Sequence, residues 1–240
     1  MKQESFALWV YLSRTPLLWL TVTLVAYLAA DRISAATNRH PLANPVLHAI
    51  WFIGAVLVAT ATPYATYFEG AQFVHFLLGP AIVALAIPLY EHRATVARAA
   101  VPMLAALLAG SIVAMASAIL IAKAFGAPNA VLIALAPKSV TAGVAMGITE
   151  ALGGDPALTA VLVILTGIIG AILVTPLMNL IRVRDFRARG FAAGLASHGI
   201  GTARAFQVDE VAGIFAGIAM GLNALLTAML VPFALALLAR

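Results

Sequence analysis

The stretch AVLIALAPKSVTAGVAMGITEAL, residues 130–152, decides the fold. An apolar run leads up to Pro137, Lys138 and Ser139, and small and hydroxyl-bearing residues follow as far as Glu150. Proline lacks a backbone donor and disfavours the helical conformation of the residue before it, so a helix is expected to stop near Pro137. The pattern predicts two helical halves separated by a break that carries a lysine.

A second stretch repeats this organisation. Residues 190–206, GFAAGLASHGIGTARAF, are rich in glycine and polar at their centre. In both places an acidic turn, at Asp155 or at Asp209, leads into a long apolar span. Gly79 and Pro80 predict a third break, in a fainter copy of the same pattern. The order of elements therefore suggests internal repeats of roughly sixty residues.

The composition identifies a membrane protein. Of the 240 residues 63% are hydrophobic and 10% are charged, and the mean hydropathy is +1.05. Soluble domains carry about a quarter charged residues, and several runs here reach the roughly 20 residues that span a bilayer. We expect an all-α integral membrane protein with about seven or eight membrane segments, of which two or three are interrupted or re-entrant.

The chain is predicted to form a single membrane domain over residues 1–240. Its parts are an N-terminal helix and loop (1–45), a first helical unit (46–126), a unit with the PKSVT motif (127–185) and a unit with the SHGIGT motif (186–240). Lys2, Glu4 and Arg14 precede the first apolar run, but no convincing cleavage site follows, so we interpret that run as a retained helix. The predicted apolar spans are approximately 16–30, 46–62, 71–90, 96–123, 156–181 and 211–238, and the third is expected to kink or break at Gly79-Pro80.

Basic clusters predict the topology. Arginines concentrate at 32–39, 93–98 and 182–189, and cytoplasmic loops are enriched in such residues. If all three clusters face the cytoplasm, the helix that ends at Lys123 finishes outside and the span after Asp155 starts outside. Residues 130–152 would then enter and return on the same side. The alternative is that this segment crosses fully and one basic cluster is misplaced.

The two predicted breaks form the candidate site. Ionisable residues at membrane depth cost about 2.5–3.5 kcal/mol, so Lys138 and Arg204 are functional candidates. A broken helix exposes backbone N–H groups at the start of its second half, where the positive end of the helix dipole attracts anions. We expect a small carboxylate to bind where two such breaks meet. The candidate site residues are Lys138, Ser139, Thr141, Ser197, His198, Gly199, Gly201, Thr202, Arg204 and Asn223, with helix breaks at Gly79, Pro80, Pro137 and the Gly199/Gly201 pair.

Each of these assignments has a simpler alternative. Lys138 can extend its ammonium to the interface, Arg204 can be one more cytoplasmic charge, and Asn223 can bond a neighbouring helix. His198 is either a substrate donor or proton carrier, or a buried imidazole satisfied by backbone. Glu150 either pairs with Lys138 or ends a helix near the interface.

Other functional classes lack their sequence signals. The chain has no cysteine, and its five histidines form no H-x-x-x-H pair, so we expect no metal site. It contains no G-x-S-x-G, H-E-x-x-H or P-loop motif, which argues against an enzyme and a cofactor. The net charge of +5 comes from basic residues in short loops between apolar segments, a pattern typical of membrane topology and not of nucleic-acid binding.

Several motifs resemble the LrgB/CidB family of bacterial membrane proteins, which includes the plastid glycolate/glycerate translocator. These motifs are PKSVT at 137–141, Ala145-Met146, EALGG at 150–154 with Pro156, LTA at 158–160, ASHGIGTARA at 196–205, LGPA at 78–81 and PLY at 88–90. The similarity covers most of the chain from about residue 71 onward, and residues before about 45 match least well.

The resemblance implies a multi-pass protein of the bacterial cytoplasmic membrane, and it offers two functions. One is a carrier of small monocarboxylates such as glycolate, glycerate or pyruvate. The other is a holin-like or antiholin-like regulator of murein hydrolase export and cell lysis. A small LrgA/CidA-type membrane protein is implied as a partner, beside membrane lipid and a possible homo-oligomer. The paired charges and hydroxyls favour the carrier, because a holin-like pore does not need them at helix breaks.

Overall fold

The computed structural model describes residues 15–84 and 86–238. Over these residues the chain forms helices and turns, without strands. The chain divides into two compact units, Met1–Ala86 and Ile87–Arg240. The predictions on Lys2, Glu4 and Arg14 lie outside the described residues.

The first unit contains α1 (Pro16–Ala36), a short 3-10 helix (Pro41–Ala43), α2 (Pro45–Ala59), α3 (Tyr64–Phe76) and α4 (Leu78–Ala84), and α5 (Ala86–Glu91) follows at the boundary between the units. The helix α1 continues past its predicted end near residue 30. Asp31 lies in α1 and forms an ion pair with Arg39 in the loop that follows the helix. The negative charge of Asp31 is therefore balanced close to the end of α1.

The span predicted over residues 71–90 is interrupted, and a kink or break at Gly79 and Pro80 was expected. The chain forms the three shorter helices α3, α4 and α5 there. The first interruption lies at Leu77, just before Gly79 and Pro80. Proline fits the first turn of a helix, where its missing N–H group has no intrahelical partner, so the Gly79-Pro80 pair begins α4 and does not kink a longer helix.

The second unit contains α6 (Arg93–Arg98), α7 (Ala100–Ala124), α8 (Asn129–Leu135), α9 (Ala142–Ala151), α10 (Pro156–Leu180), α11 (Phe186–Val208) and α12 (Glu210–Leu238). Within the described part of the chain, four helices are long and apolar enough to cross a membrane: α1, α7, α10 and α12. Together with the composition, they establish a helical membrane protein.

Helices α8 and α9 form a hairpin, which we call hairpin 1. Its connection, residues 136–141, is the first tip. Near the open end, Ile133 of α8 and Thr149 of α9 both lie against Gly154, where an added Cβ would be 2.6 Å and 2.7 Å from their methyl groups. At the closed end, Val140 packs against Val163 in α10. The hairpin therefore opens beside the start of α10, and its tip reaches inward along α10.

Helix α11 is also a hairpin, hairpin 2. Ser197 (φ −131°, ψ 15°) and His198 (φ 42°, ψ −134°) are non-helical, and residues 197–199 are the second tip. Before the tip, the chain runs in the same direction as α12: Gly190 lies against Ala212, and Gly194 against Ala216.

After the second tip the direction is reversed. Thr202 contacts Met220, and Phe206 contacts Gly213, so the contacts on α12 now move back toward its N-terminus. Both halves of hairpin 2 consequently pack on the first half of α12, and the tip lies near the middle of that helix.

The two hairpins lie along α10 and extend toward each other from its opposite ends. At the open end of hairpin 2, Arg189 donates to Asn179 near the C-terminus of α10, over 2.8 Å. Hairpin 1 opens at the N-terminus of α10. Both tips reach Val163, which packs against Val140 and accepts a hydrogen bond from His198. The end of the unit at hairpin 2, which we call the basic end, carries Arg98, Arg182, Arg184, Arg187 and Arg189.

Helix α7 lies alongside both hairpins. Its N-terminal part packs on hairpin 2 through Met103 and Leu107, and its C-terminal part packs on the first tip through Met115 and Ile119. The last turn of α7 meets the last turn of α12, where the Lys123 ammonium donates to the Leu238 carbonyl over 3.0 Å. Helices α7 and α12 therefore run in the same direction, and α10 runs against them.

The acidic turns that the sequence repeats are helix caps. Asp155 accepts from the backbone N–H of Ala157 at the start of α10, over 2.8 Å, and Asp209 accepts from Ala212 at the start of α12, over 3.1 Å. Such caps satisfy N–H groups that a helix start leaves without partners. The order of hairpin, aspartate cap and long helix thus occurs twice, in opposite orientations.

Glycine permits the close contact between hairpin 2 and α12. A Cβ on Gly194 would lie 1.9 Å from the Ala216 carbonyl oxygen. Because that neighbour is backbone, Gly194→Ala should force the two helices apart and lower the free energy of unfolding by about 1–3 kcal/mol. Thermal unfolding in detergent measures the effect.

The matched control for this prediction is Gly221→Ala on α12, where an added Cβ meets nothing within 4 Å. Alanine is the better helix former, so this variant should be neutral or more stable by about 1 kcal/mol or less. Equal stability of the two variants would contradict the assigned contact.

Candidate functional site

The two tips are joined by Asn223 in the middle of α12. Its side-chain amide donates to the Ser139 carbonyl in the first tip, over 3.3 Å, and to the Leu195 carbonyl just before the second tip, over 3.0 Å. Its oxygen accepts from the hydroxyls of Ser111, over 2.6 Å, and Thr227, over 3.2 Å. One buried amide therefore fixes both hairpins and α7 at a common point.

The first tip holds three of the predicted site residues. Lys138 is half-buried, and its ammonium lies 3.4 Å from the hydroxyl of the buried Ser139. Thr141 is the residue that precedes α9, and its side chain does not cap that helix. The break predicted at Pro137 is present, because α8 ends at Leu135 and α9 begins at Ala142. The tip thus places a cation and two hydroxyl groups beside the N-terminus of a ten-residue helix.

The second tip holds Ser197, His198 and Gly199. The φ of His198, 42°, lies in the left-handed region that residues with a side chain rarely adopt. Strained conformations of this kind persist where the surrounding structure enforces them, and they concentrate at functional sites. Ser197 is 1% exposed, and within the described residues its hydroxyl has no hydrogen-bond partner. That hydroxyl lies against Gly170 of α10.

The break in hairpin 2 lies earlier than predicted. We expected Gly199 and Gly201 to supply it, but the non-helical residues are Ser197 and His198. Gly201 is buried and has a packing role: a Cβ there would be 2.6 Å from the Ala193 carbonyl oxygen in the first half of the hairpin. Glycine at 201 therefore lets the two halves approach, while the reversal itself occurs at the serine and histidine.

The imidazole of His198 is fixed by α10. Its Nε2 atom lies 2.9 Å from the Val163 carbonyl oxygen. A carbonyl oxygen only accepts hydrogen bonds, so Nε2 carries the hydrogen. Nδ1 therefore remains available to accept a hydrogen bond or to bind a proton. The ring fits because Gly167 has no side chain; a Cβ there would lie 2.6 Å from Cε1 of the imidazole.

The other predicted site residues lie at different positions. The Thr202 hydroxyl donates to the His198 carbonyl over 2.8 Å, within the second half of hairpin 2. Arg204 is 8% exposed and lines a small cavity with Arg189 toward the basic end. Arg204 lies six residues after His198, which corresponds to about 9 Å along the helix axis. The structure therefore does not bring Arg204 to the Lys138 tip.

Glu150 also lies away from Lys138. Its side chain is exposed in the last turn of α9, and the structure records no ion pair between the two residues. The alternative that Glu150 ends a helix fits its position.

Four residues at the meeting point were not among the predicted site residues: Ser111, Val163, Gly167 and Thr227. The small residues at 110–111 were visible in the sequence, but ordinary helix packing explained them equally well. Val163 acts through its carbonyl group, so its side-chain identity carried no signal. Gly167 and Gly170 lie three residues apart in an apolar span, and this spacing was the available signal.

The arrangement can bind an anion. Helix α9 and the second half of hairpin 2 begin at the two tips, so the free N–H groups and positive dipole ends of both lie near the middle of the unit. Lys138 adds a full charge, and Ser139 and Thr141 add hydroxyl groups. Within the described residues no group of three or more His, Asp or Glu residues is placed to hold a metal ion.

Comparison with known proteins agrees with the motifs. Residues 23–237 match the model of the LrgB-like family. The chain is 34% identical to the holin-like protein CidB of Staphylococcus aureus (strain Mu50) over 216 residues, 90% of this chain and 94% of that protein. It is 31% identical to the holin-like protein CidB of Staphylococcus epidermidis (strain RP62A) over 215 residues, 90% of this chain and 93% of that protein.

A third relative is the uncharacterized protein YwbG of Bacillus subtilis (strain 168), 33% identical over 216 residues, which are 90% of this chain and 96% of that protein. No solved structure matches the chain. The names of the two staphylococcal relatives fit the holin-like function better than the carrier. The family match begins at residue 23 and so includes about half of the N-terminal part that resembled the family least. The chain belongs to the LrgB-like family.

Proposed function

We propose that this protein transports small organic anions, monocarboxylates such as glycolate, glycerate or pyruvate. The observation that carries the proposal is the meeting of two hairpin tips at Asn223, with Lys138 beside them. Transporters with discontinuous helices bind carboxylates at such half-helix N-termini, near the middle of the bilayer. The relatives are not named as carriers, so the proposal rests on the site.

Each tip contributes differently to the proposed site. The carboxylate accepts hydrogen bonds from the first N–H groups of α9 and from Ser139 and Thr141, and Lys138 balances its charge. The second tip presents Ser197 and the N-terminus that starts at Gly199, and Nδ1 of His198 carries a coupled proton. Gly201 and Asn223 position the tips.

Arg204 has a separate role in the proposal. It lies toward the basic end, in the cavity shared with Arg189. There it attracts the anion as it enters or leaves, and Thr202 holds the helical turn between Arg204 and the tip.

We further propose the topology of a multi-pass protein in the bacterial cytoplasmic membrane. The basic end faces the cytoplasm, as the enrichment of arginine in cytoplasmic loops predicts. Hairpin 1 then re-enters from the outside and hairpin 2 from the cytoplasm. Counting α1, α2, the α3–α5 segment, α7, α10 and α12 with the two hairpins gives about eight membrane segments, on the assumption that each hairpin is one re-entrant segment.

The test is uptake into proteoliposomes that hold the purified protein. Labelled glycolate, glycerate and pyruvate should enter with saturable kinetics while a trapped neutral dye stays inside. If His198 couples a proton, an inwardly directed proton gradient should raise the initial rate. Uptake that rises linearly with concentration, or that empty liposomes match, would contradict a carrier.

The second candidate is a holin-like or antiholin-like regulator of murein hydrolase export and cell lysis. It is favoured by the names of the staphylococcal relatives. Its signature in the same proteoliposomes is release of the neutral dye without saturable uptake, and Lys138 would then be a structural charge.

The proposal also includes partners. A small LrgA/CidA-type membrane protein is expected to associate with the chain, and self-association of the chain is expected in the same complex. A carrier binds the anion and moves it across the membrane without breaking a covalent bond, so we propose no enzyme activity and no cofactor.

A further inference from the structure

An open groove lies beside hairpin 2 in the second unit. It has a volume of about 580 Å³ and runs between α7 and the first half of hairpin 2. Pro102, Ala106 and Gly110 form one wall, and Ala188, Ala192 and Ala196 form the other. Because all six side chains are small, the two helices leave a channel between them whose floor includes Phe191 and Phe215.

Charge is confined to one end of the groove. Arg98 and Arg187 line it at the basic end, together with Asp185. Asp185 caps hairpin 2 and forms an ion pair with Arg187 over 2.6 Å, and these hydrogen bonds hold the pKa of Asp185 below its usual range. The carboxylate therefore stays ionised at neutral pH and fixes the position of the Arg187 guanidinium, while Arg98 adds a second positive charge.

The length of the groove matches one leaflet of a bilayer. From Ala100 to Gly110 the wall of α7 extends about 15 Å, half of the roughly 30 Å hydrocarbon core. A small carboxylate would gain nothing from an apolar groove of this size. An acyl chain fits its lining and length, and a phosphate fits the arginines at its end.

We propose that this groove binds an anionic phospholipid, with the headgroup phosphate at Arg98 and Arg187 and one acyl chain between α7 and hairpin 2. Basic pockets between membrane helices on the cytoplasmic side bind anionic headgroups in this manner. The lipid would lie against Leu195, whose carbonyl bonds Asn223, so the site is coupled in space to the second tip. The proposal does not depend on what the protein transports.

The experiment is native mass spectrometry of the full chain in detergent, titrated with phosphatidylglycerol and with phosphatidylcholine of the same acyl chains. Phosphatidylglycerol should bind more tightly. In the double variant Arg98→Gln/Arg187→Gln its affinity should fall about 5- to 25-fold, because each arginine near the headgroup contributes about fivefold. The control Arg182→Gln/Arg184→Gln removes the same charge from the basic end outside the groove, and it should retain the preference.

A second pair of variants tests the apolar part. Ala106→Phe fills the groove and should weaken the binding of both lipids, whereas Ala105→Phe, one residue away on α7 and outside the groove, should not. Equal affinity for the two lipids, equal losses in the two arginine variants, or unchanged binding in Ala106→Phe would overturn the proposal. The last result would also be expected if another protein segment covered the groove. If the arginine variants fail to fold, the alanine pair decides.

Discussion

Replacing Lys138 with methionine is expected to abolish saturable uptake of the carboxylate, with a loss of about 30-fold or more in apparent affinity. Truncating one partner of a buried, hydrogen-bonded charge pair costs about 2–5 kcal/mol, and the lower figure corresponds to about 30-fold. Lys138→Arg keeps the charge but not the shape, so it should retain part of the activity. Initial uptake rates over a concentration series measure both variants.

The stability of Lys138→Met should be unchanged or higher than that of the parent protein. Lys138 is half-buried, and without substrate the polar contact of its ammonium is the 3.4 Å approach to the Ser139 hydroxyl. Methionine removes the cost of burying that charge. Loss of uptake in a protein that unfolds at the same or higher temperature therefore assigns Lys138 to the substrate.

The matched control is Lys123→Met, which removes the same charge from the exposed end of α7. Its ammonium bonds the Leu238 carbonyl, far from both tips. This variant should transport normally. If Lys123→Met and Lys138→Met lose uptake equally, the effect is one of overall charge, and the assignment of Lys138 is wrong.

Asn223→Ala is expected to destabilise the protein by about 2–4 kcal/mol and to remove transport as well. The substitution breaks four buried hydrogen bonds, to Ser139, Leu195, Ser111 and Thr227. Interhelical hydrogen bonds in membranes contribute about 0.6 kcal/mol on average, and bonds whose loss leaves a buried group unsatisfied contribute more. Thermal unfolding and uptake, measured on the same preparation, report the two effects.

The variant Asn223→Asp tests the two hydrogen bonds to the tips without removing the other two bonds of Asn223. The carboxylate can still accept from Ser111 and Thr227, but it faces the Ser139 and Leu195 carbonyls without a donor. We expect the tips to move apart and uptake to be lost even where the protein remains folded. Asn179→Ala, at the exposed end of α10 beside Arg189, is the control and should affect neither quantity. Normal uptake by Asn223→Asp would show that the amide only packs helices.

Much of the fold could be predicted because its causes are local. Composition and apolar runs identify the membrane helices, since burial in a bilayer depends on side-chain polarity alone. Pro137 predicts the first break through its missing donor, and Asp155 and Asp209 predict the starts of α10 and α12. The PKSVT and SHGIGT motifs identified the family that the comparison then showed.

Other features required contacts between distant parts of the chain. The reversal of hairpin 2 was expected at glycine but occurs at Ser197 and His198, because Val163 and Gly167 of α10 hold that backbone and imidazole in place. The span over 71–90 was expected to kink or break at Gly79-Pro80, and whether such a pair kinks a helix or begins a new one depends on its surroundings.

The sequence by itself determined that this is a helical membrane protein of the LrgB-like family with two polar interruptions, since those properties follow from composition, local backbone chemistry and motif identity. Only the tertiary structure decided that the interruptions meet, that Asn223 joins Ser139 to Leu195 across 84 and 28 residues of chain, and that Arg204 lies apart from Lys138. The physical reason is that hydrogen bonds between buried groups far apart in sequence depend on how helices pack, which no local pattern encodes.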